Sequence, residues 1–127
     1  MNNSLLAVRG INHKYIVVVE EVISGKYAYE RDGVGFVETR YEHHILSYLF
    51  MAYEEKKALN CNEPFVCVDW GGAVASVYLQ HRNIISRFFP DMKWIVTEQK
   101  NFVDAGKRLL SSQMRNIEFI NVEDEKN

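Results

Sequence analysis

The spacing of apolar residues changes character along the chain, and each change marks an element. Over 12–24, Ile16, Val19, Val22 and Ile23 recur at helical intervals. Asn12 stands where an N-cap belongs and Gly25 where a helix is closed by a left-handed residue. The run Ile16-Val17-Val18-Val19 also has strand propensity, but the spacing predicts a helix. Residues 1–11 show no period and are expected to be frayed or loosely docked. Residues 25–41 read as irregular chain, too aromatic for a linker and too rich in glycine for a regular element; such a loop packs on the domain or covers a site. Ile45, Leu46, Leu49, Phe50, Ala52 and Tyr53 then form a broad apolar face on a helix ending near Asn60.

Beyond position 60 the pattern alternates. Residues 65–69 are apolar on both faces, as a parallel strand covered by helices would be, and end in Asp69. A helix over 74–89 follows, with Val77, His81, Ile84, Ile85 and Phe88 on its inward stripe and Pro90 as its stop. Residues 93–97 read as a second strand. Asn101, with Asp104 three positions on, resembles a capping box opening a helix over 102–110, and 116–122 read as a third strand. Strand, helix, strand, helix, strand predicts an α/β fold: a Rossmann-like parallel sheet with right-handed crossovers, preceded by N-terminal helices. The chain divides into an N-terminal helical and loop region, 1–60, and the first half of a Rossmann-like domain, 61–127.

Composition narrows the function classes. The 127 residues suffice for one domain with its own core, and 47% hydrophobic with 25% charged residues is ordinary for a globular protein. A net charge of −2 lacks the basic excess of nucleic-acid and membrane-surface binders, so neither nucleic acid nor membrane insertion is expected. The apolar stretch 5–8 is broken by Arg9 and Gly10 and reads as no signal peptide, and the run 15–19 is far too short to span a bilayer. Glu123-Asp124-Glu125 reads as a solvated chain end. Cys61 and Cys67 form no C-x-x-C; Cys67 is expected to be buried, no metal site is expected, and a reducing cytoplasm suits both thiols.

The segment Asp69-Trp70-Gly71-Gly72-Ala73-Val74-Ala75 carries the chemistry. A tight turn after a strand needs residues without a Cβ where backbone approaches a ligand, and the following helix offers unpaired N–H groups. In dinucleotide folds that cradle holds pyrophosphate. Here Asp69 ends the first strand and Glu98 the second, and two acids framing a glycine turn suit S-adenosylmethionine, which carries a sulfonium and no phosphate, with Glu98 accepting from the ribose hydroxyls. A strand-to-helix turn with no ligand is the plainer alternative. His43 and His44 are adjacent and point about 100° apart on a helix, so they do not share a metal and read as solvated or capping residues. His81 reads as a satisfied core histidine or, less simply, a base, and no Ser/His/Asp or Cys/His set can be placed. In the aromatic loop, Tyr29, Arg31 and Asp32 either close over a ligand at the carboxyl ends of the strands or hold the loop by an internal salt bridge.

Three blocks resemble, in order and spacing, a family of bacterial class I S-adenosylmethionine-dependent methyltransferases, many encoded among surface-polysaccharide genes. The family pattern Y-E-R-D-x-V-x-F is met by residues 29–36, D-F-G-G-x-x-G-x-x-Y-F-Q-N-R by 69–82, and W-x-x-V-E-Q-x-x-F-V-x-x-G-K by 94–107. Ala75 stands where the pattern has its third glycine, His81 replaces an asparagine, and Asn101 a common histidine. The resemblance implies cofactor contacts at Asp69, Gly71, Gly72, Ala73, Ala75, Tyr78, Glu98 and Gln99, with Tyr29 and Arg31 as a lid, and names no catalytic base. It implies a small-molecule or saccharide acceptor. It also implies a truncated sheet of order 3-2-1, open at the strand over 65–69, so that the chain self-associates or pairs with a C-terminal half encoded separately. An inactive fragment or binding module that uses this edge is the competing expectation.

Overall fold

The computed structural model describes residues 10–110 and 115–123. The expectations for the start of the chain and for most of its acidic end fall outside those residues. Helix α1 (His13–Ser24) begins where Asn12 Oδ1 accepts from Lys14 N at 2.8 Å, and ends at Gly25, whose φ of 94° lets its N–H reach back to the last turn. Ile16, Val19 and Val22 are fully buried, so packing of this face decides for helix over the strand propensity of the valines.

The expected irregular loop is instead a hairpin, β1 (Tyr29–Arg31) and β2 (Val34–Phe36), paired antiparallel. Asp32 and Gly33 turn it with φ of 53° and 81°, the doubly left-handed conformation that a two-residue hairpin turn demands. Helix α2 (His43–Ala58) follows; of its expected apolar face Leu49 is buried, Ile45, Leu46 and Tyr53 are half-buried, and Phe50 and Ala52 are exposed. Its attachment is aromatic, with Phe50 and Tyr53 meeting Phe89 at 4.9 and 5.1 Å and Tyr53 meeting Phe65 at 5.4 Å.

Strands β3 (Val66–Trp70), β4 (Lys93–Glu98) and β5 (Ile117–Asn121) form a parallel sheet in the order β3-β4-β5, joined by α3 (Ser76–Phe88) and α4 (Lys100–Leu109). The mixed α/β class and parallel sheet agree with the reading of the sequence. By register, Cys67, Trp94 and Ile117 share one face with Asp69, Val96 and Phe119. This face joins residues of α1, α3 and α4 in one core that also takes in Leu49, so the N-terminal region and the sheet share their interior. On the other face Val66, Val68 and Trp70 keep 44%, 56% and 70% of their surface exposed. Val66 and Val68 lie beside the Lys93–Glu118 pair and Ile95. Cys67, on the core-facing side of β3, is half-buried rather than enclosed because β3 lies at the edge of the sheet.

Three local expectations are corrected. The buried residues of α3 are Tyr78, Leu79, Gln80, His81 and Ile85, while Phe88 turns outward, because α3 packs on the hairpin as well as the sheet. Helix α4 starts at Lys100 with Gln99 at its cap position and no side-chain cap. The Asn101–Asp104 capping box does not form: Asn101 Oδ1 accepts from Phe102 N and Asp104 pairs with Lys100 at 3.0 Å. No described helix is long and apolar enough to cross a membrane.

Candidate functional site

A cavity of about 620 Å³ opens at the carboxyl end of β3, a volume in the range of small-molecule sites. The glycine turn forms one wall with Asp69, Gly71, Gly72 and Ala73; the hairpin forms another with Glu30, Arg31 and Asp32; Tyr15 of α1, Ser76 of α3 and Phe102 of α4 complete it. The hairpin therefore lies at the carboxyl ends of the strands, as the sequence suggests for the aromatic loop.

Hydrogen bonds fix the turn. Gly71 N donates to Thr97 O at 2.8 Å, carrying the β3–β4 ladder one residue past the strand, and Ala73 N donates to Glu98 Oε2 at 3.0 Å. Glu98 Oε1 accepts from Gln99 N at 2.8 Å. The Glu98 carboxylate thus braces the turn from behind, with one lone pair on each oxygen engaged. Ala73 and Ala75 both have positive φ, 50° and 58°. Ala75, at the N-cap position of α3 where the family pattern has glycine, carries the cost of a left-handed non-glycine residue, about 1–2 kcal/mol.

Asp69 Oδ2 accepts from Trp94 Nε1 at 3.1 Å. Burial raises the Asp69 pKa above the usual carboxylate range, and the Trp94 hydrogen bond and nearby Arg31 pull it back. A β-carbon on Gly72 would stand 2.5 Å from Asp69 Oδ2, so the acid fits only beneath a glycine.

Of the site residues singled out from the sequence, Asp69, Gly71, Gly72, Ala73, Arg31 and Asp32 line the cavity. Ala75 and Tyr78 are buried away from it, Tyr78 edge-on to Trp94 at 5.6 Å. Glu98 and exposed Gln99 lie behind the turn. Tyr29 is buried and stacks on Phe36 at 4.8 Å. Arg31 forms no ion pair with Asp32 among the described residues; its guanidinium donates to Glu30 O at 2.8 Å and to Gln80 Oε1. Buried Gln80 in turn donates to Arg40 O at 2.6 Å, tying the hairpin to the approach of α2.

His81 is a satisfied core histidine. Its Nδ1–H donates to Val77 O at 2.7 Å, and Nε2 accepts from Glu42 N at 2.9 Å, which requires the neutral ring. Burial, with help from nearby Arg31, holds its pKa below 6.5. The unfolded chain therefore takes up a proton first on acidification, and this site's contribution to stability is complete above about pH 6.5 and lost as pH falls below it toward the lowered folded-state pKa. Melting temperature recorded from about pH 7.5 to about pH 5.5 should fall less steeply in His81→Asn than in the parent.

The residues missed from sequence are Tyr15, Glu30 and Ser76. Ser76 Oγ donates to Glu30 Oε1, Gly33 N donates to Glu30 Oε2 at 3.2 Å, and Glu30 keeps 1% of its surface exposed. The Tyr15 hydroxyl is buried beside Ser76 and Val74 without a well-directed hydrogen bond, and burial, then the Glu30 charge, push its pKa up to about 12. Their only signal was the Asp32-Gly33 pair, which predicts a hairpin and hence which residues alternate inward. Burial raises the Cys67 thiol to about 11, so it stays protonated at neutral pH. Among the described residues no group of three or more His, Cys, Asp or Glu could hold a metal ion.

Comparison with known proteins finds no matching family model, no matching curated protein and no matching solved structure.

Proposed function

We propose that this chain is the cofactor-binding part of a S-adenosylmethionine-dependent methyltransferase that acts on a sugar or polysaccharide precursor in the cytoplasm. The observation that carries the reading is the cavity at the carboxyl end of β3, bounded by the Gly71–Gly72–Ala73 turn and by Asp69. Ligands of open α/β sheets bind at that end of the strands. The side chains present favour this cofactor over a dinucleotide. Asp69, Glu30 and Asp32 outnumber Arg31 and Lys14 around the cavity, which would repel a pyrophosphate and attract a sulfonium and an ammonium. The acceptor and the surface-polysaccharide context come from the motif resemblance. No catalytic base is assigned.

Calorimetry on the purified chain tests this. S-adenosylhomocysteine, the demethylated product, should bind and NADH should not. Glu98→Ala should weaken binding by about 1–3 kcal/mol through loss of the brace on Ala73 N. Binding of NADH without S-adenosylhomocysteine would sink the reading.

A second reading has its own observation. Val66, Val68 and Trp70 leave one face of β3 open, and its outer edge has no neighbouring strand among the described residues. Parallel sheets are normally covered on both faces, and an apolar edge of this kind is a template for another chain. Under this reading the chain is a binding module that pairs with a second copy of itself. Light scattering should then show self-association that Val68→Lys suppresses; a parent protein that stays monomeric over a wide concentration range would dismiss it.

A further inference from the structure

Glu30 is the least accessible carboxylate on the cavity wall, and none of the salt bridges among the described residues includes it. Both of its present donors, the Ser76 hydroxyl and Gly33 N, are neutral, and each occupies one oxygen. Arg31, its neighbour in β1, also lines the cavity, but its guanidinium is engaged by Gln80 and by the Glu30 carbonyl and makes no ion pair with the Glu30 carboxylate among the described residues. Beside the carboxylate the buried Tyr15 hydroxyl lacks a hydrogen-bond partner among the described residues. A buried charge without a counter-charge is costly, and anchoring a two-residue turn does not require one. The cavity wall therefore holds, side by side, a carboxylate with lone pairs to spare and a hydroxyl without a partner, contributed by the hairpin and α1 and adjoining the first residue of α3.

We propose that Glu30 recognises a cationic nitrogen: the ligand of this cavity carries an α-amino-acid headgroup whose ammonium is held by the Glu30 carboxylate, with the Tyr15 hydroxyl donating to the adjoining α-carboxylate. An ammonium is a donor with three hydrogens and no acceptor, matching the lone pairs that Ser76 and Gly33 leave free. The phenol, held protonated by its surroundings, is the complementary donor for the carboxylate. This inference rests on the cofactor reading above and assigns the amino-acid end of that cofactor to the hairpin and α1. The hairpin then acts as a specificity element that rejects adenosine compounds lacking the ammonium.

The test is calorimetry on the full chain with two probes: S-adenosylhomocysteine, and its deaminated analogue in which hydrogen replaces the α-ammonium. The parent protein should bind S-adenosylhomocysteine at least about tenfold more tightly, the scale of one hydrogen bond to a charged group. Glu30→Gln, which preserves shape and keeps the Gly33 N bond on its amide oxygen while its NH2 donates to Ser76 Oγ, should erase that preference while binding the deaminated analogue as the parent does. Equal affinity of the parent for both probes overturns the proposal, and decides the matter even if the variant fails to fold. So does a variant that keeps the preference, or one that weakens both probes equally; the cofactor reading survives these three results. A parent that binds neither probe overturns the proposal and the cofactor reading together.

Discussion

Phe89→Ala is expected to cost about 3–5 kcal/mol of stability and to release α2 from the body of the protein. Phe89 keeps 1% of its surface exposed and is the hub of an aromatic cluster, with Phe50, Tyr53 and Phe65 at 4.9, 5.1 and 5.7 Å. Removing the ring leaves a cavity where three other rings converge. It also removes the ring that both Phe50 and Tyr53 of α2 meet, leaving the helix held by Leu49, its one buried residue, and by half-buried Ile45 and Tyr53. Urea unfolding should show the loss, and limited proteolysis in native buffer should show early cleavage within 43–58. Phe88→Ala, one residue earlier and 45% exposed, removes only one edge contact to Phe50, at 5.4 Å, and should cost less than Phe89→Ala. Equal costs for the two would mean that the cluster does not hold α2.

Gly72→Ala is expected to cost about 1–3 kcal/mol and to abolish ligand binding at the cavity. The added methyl would lie 2.5 Å from Asp69 Oδ2, so either the carboxylate or the turn must move. Moving the carboxylate breaks its 3.1 Å bond from Trp94 Nε1 and leaves a buried indole N–H unpaired. Moving the turn disturbs the Ala73–Glu98 brace. Trp94 fluorescence and a thermal melt would register either route. Gly71→Ala is the contrasting variant: Gly71 has nothing within 4 Å of an added β-carbon but a φ of 63°, so its cost is backbone strain alone. A Gly72→Ala protein that melts and binds S-adenosylhomocysteine like the parent would remove Asp69 from the site.

Much of this arrangement was legible in the sequence because it is local. Asn12 and Gly25 bracket α1 through bonds to residues two to four positions away, and the apolar runs ending at Asp69 and Glu98 became strands within a residue or so of the expected limits. The failures lie where distant residues decide. Residues 29–36 looked irregular because each strand of the hairpin has three residues and one contains Gly35, although Asp32-Gly33 was a turn signal in plain view. Glu30 and Ser76 are 46 positions apart, and nothing in either segment announces the other. Glu98 was expected to face a ligand; its bonds to Ala73 and Gln99 depend on how closely the turn settles on β4, which spacing does not specify. The apolar face of α2 is covered only in part, with Leu49 buried and Phe50 and Ala52 exposed, because periodicity says that a face exists and not how much of it something covers.

The order of the sheet bears on how the chain assembles. Each strand of the parallel sheet pairs with the one that precedes it in the sequence, and the pairing residues are only 27 and 23 positions apart, as in Val66 with Lys93 and Trp94 with Ile117. Loop closure over such spans costs little more than over half the distance, so the sheet can grow one strand at a time as the polypeptide leaves the ribosome. The strand that emerges first, β3, is one of the two edge strands of this sheet, β5 being the other, and has no outer neighbour among the described residues. It is thus exposed from the start of assembly to its completion, and refolding yield should fall as protein concentration rises, with the nascent chain drawing on chaperones at this strand before any other.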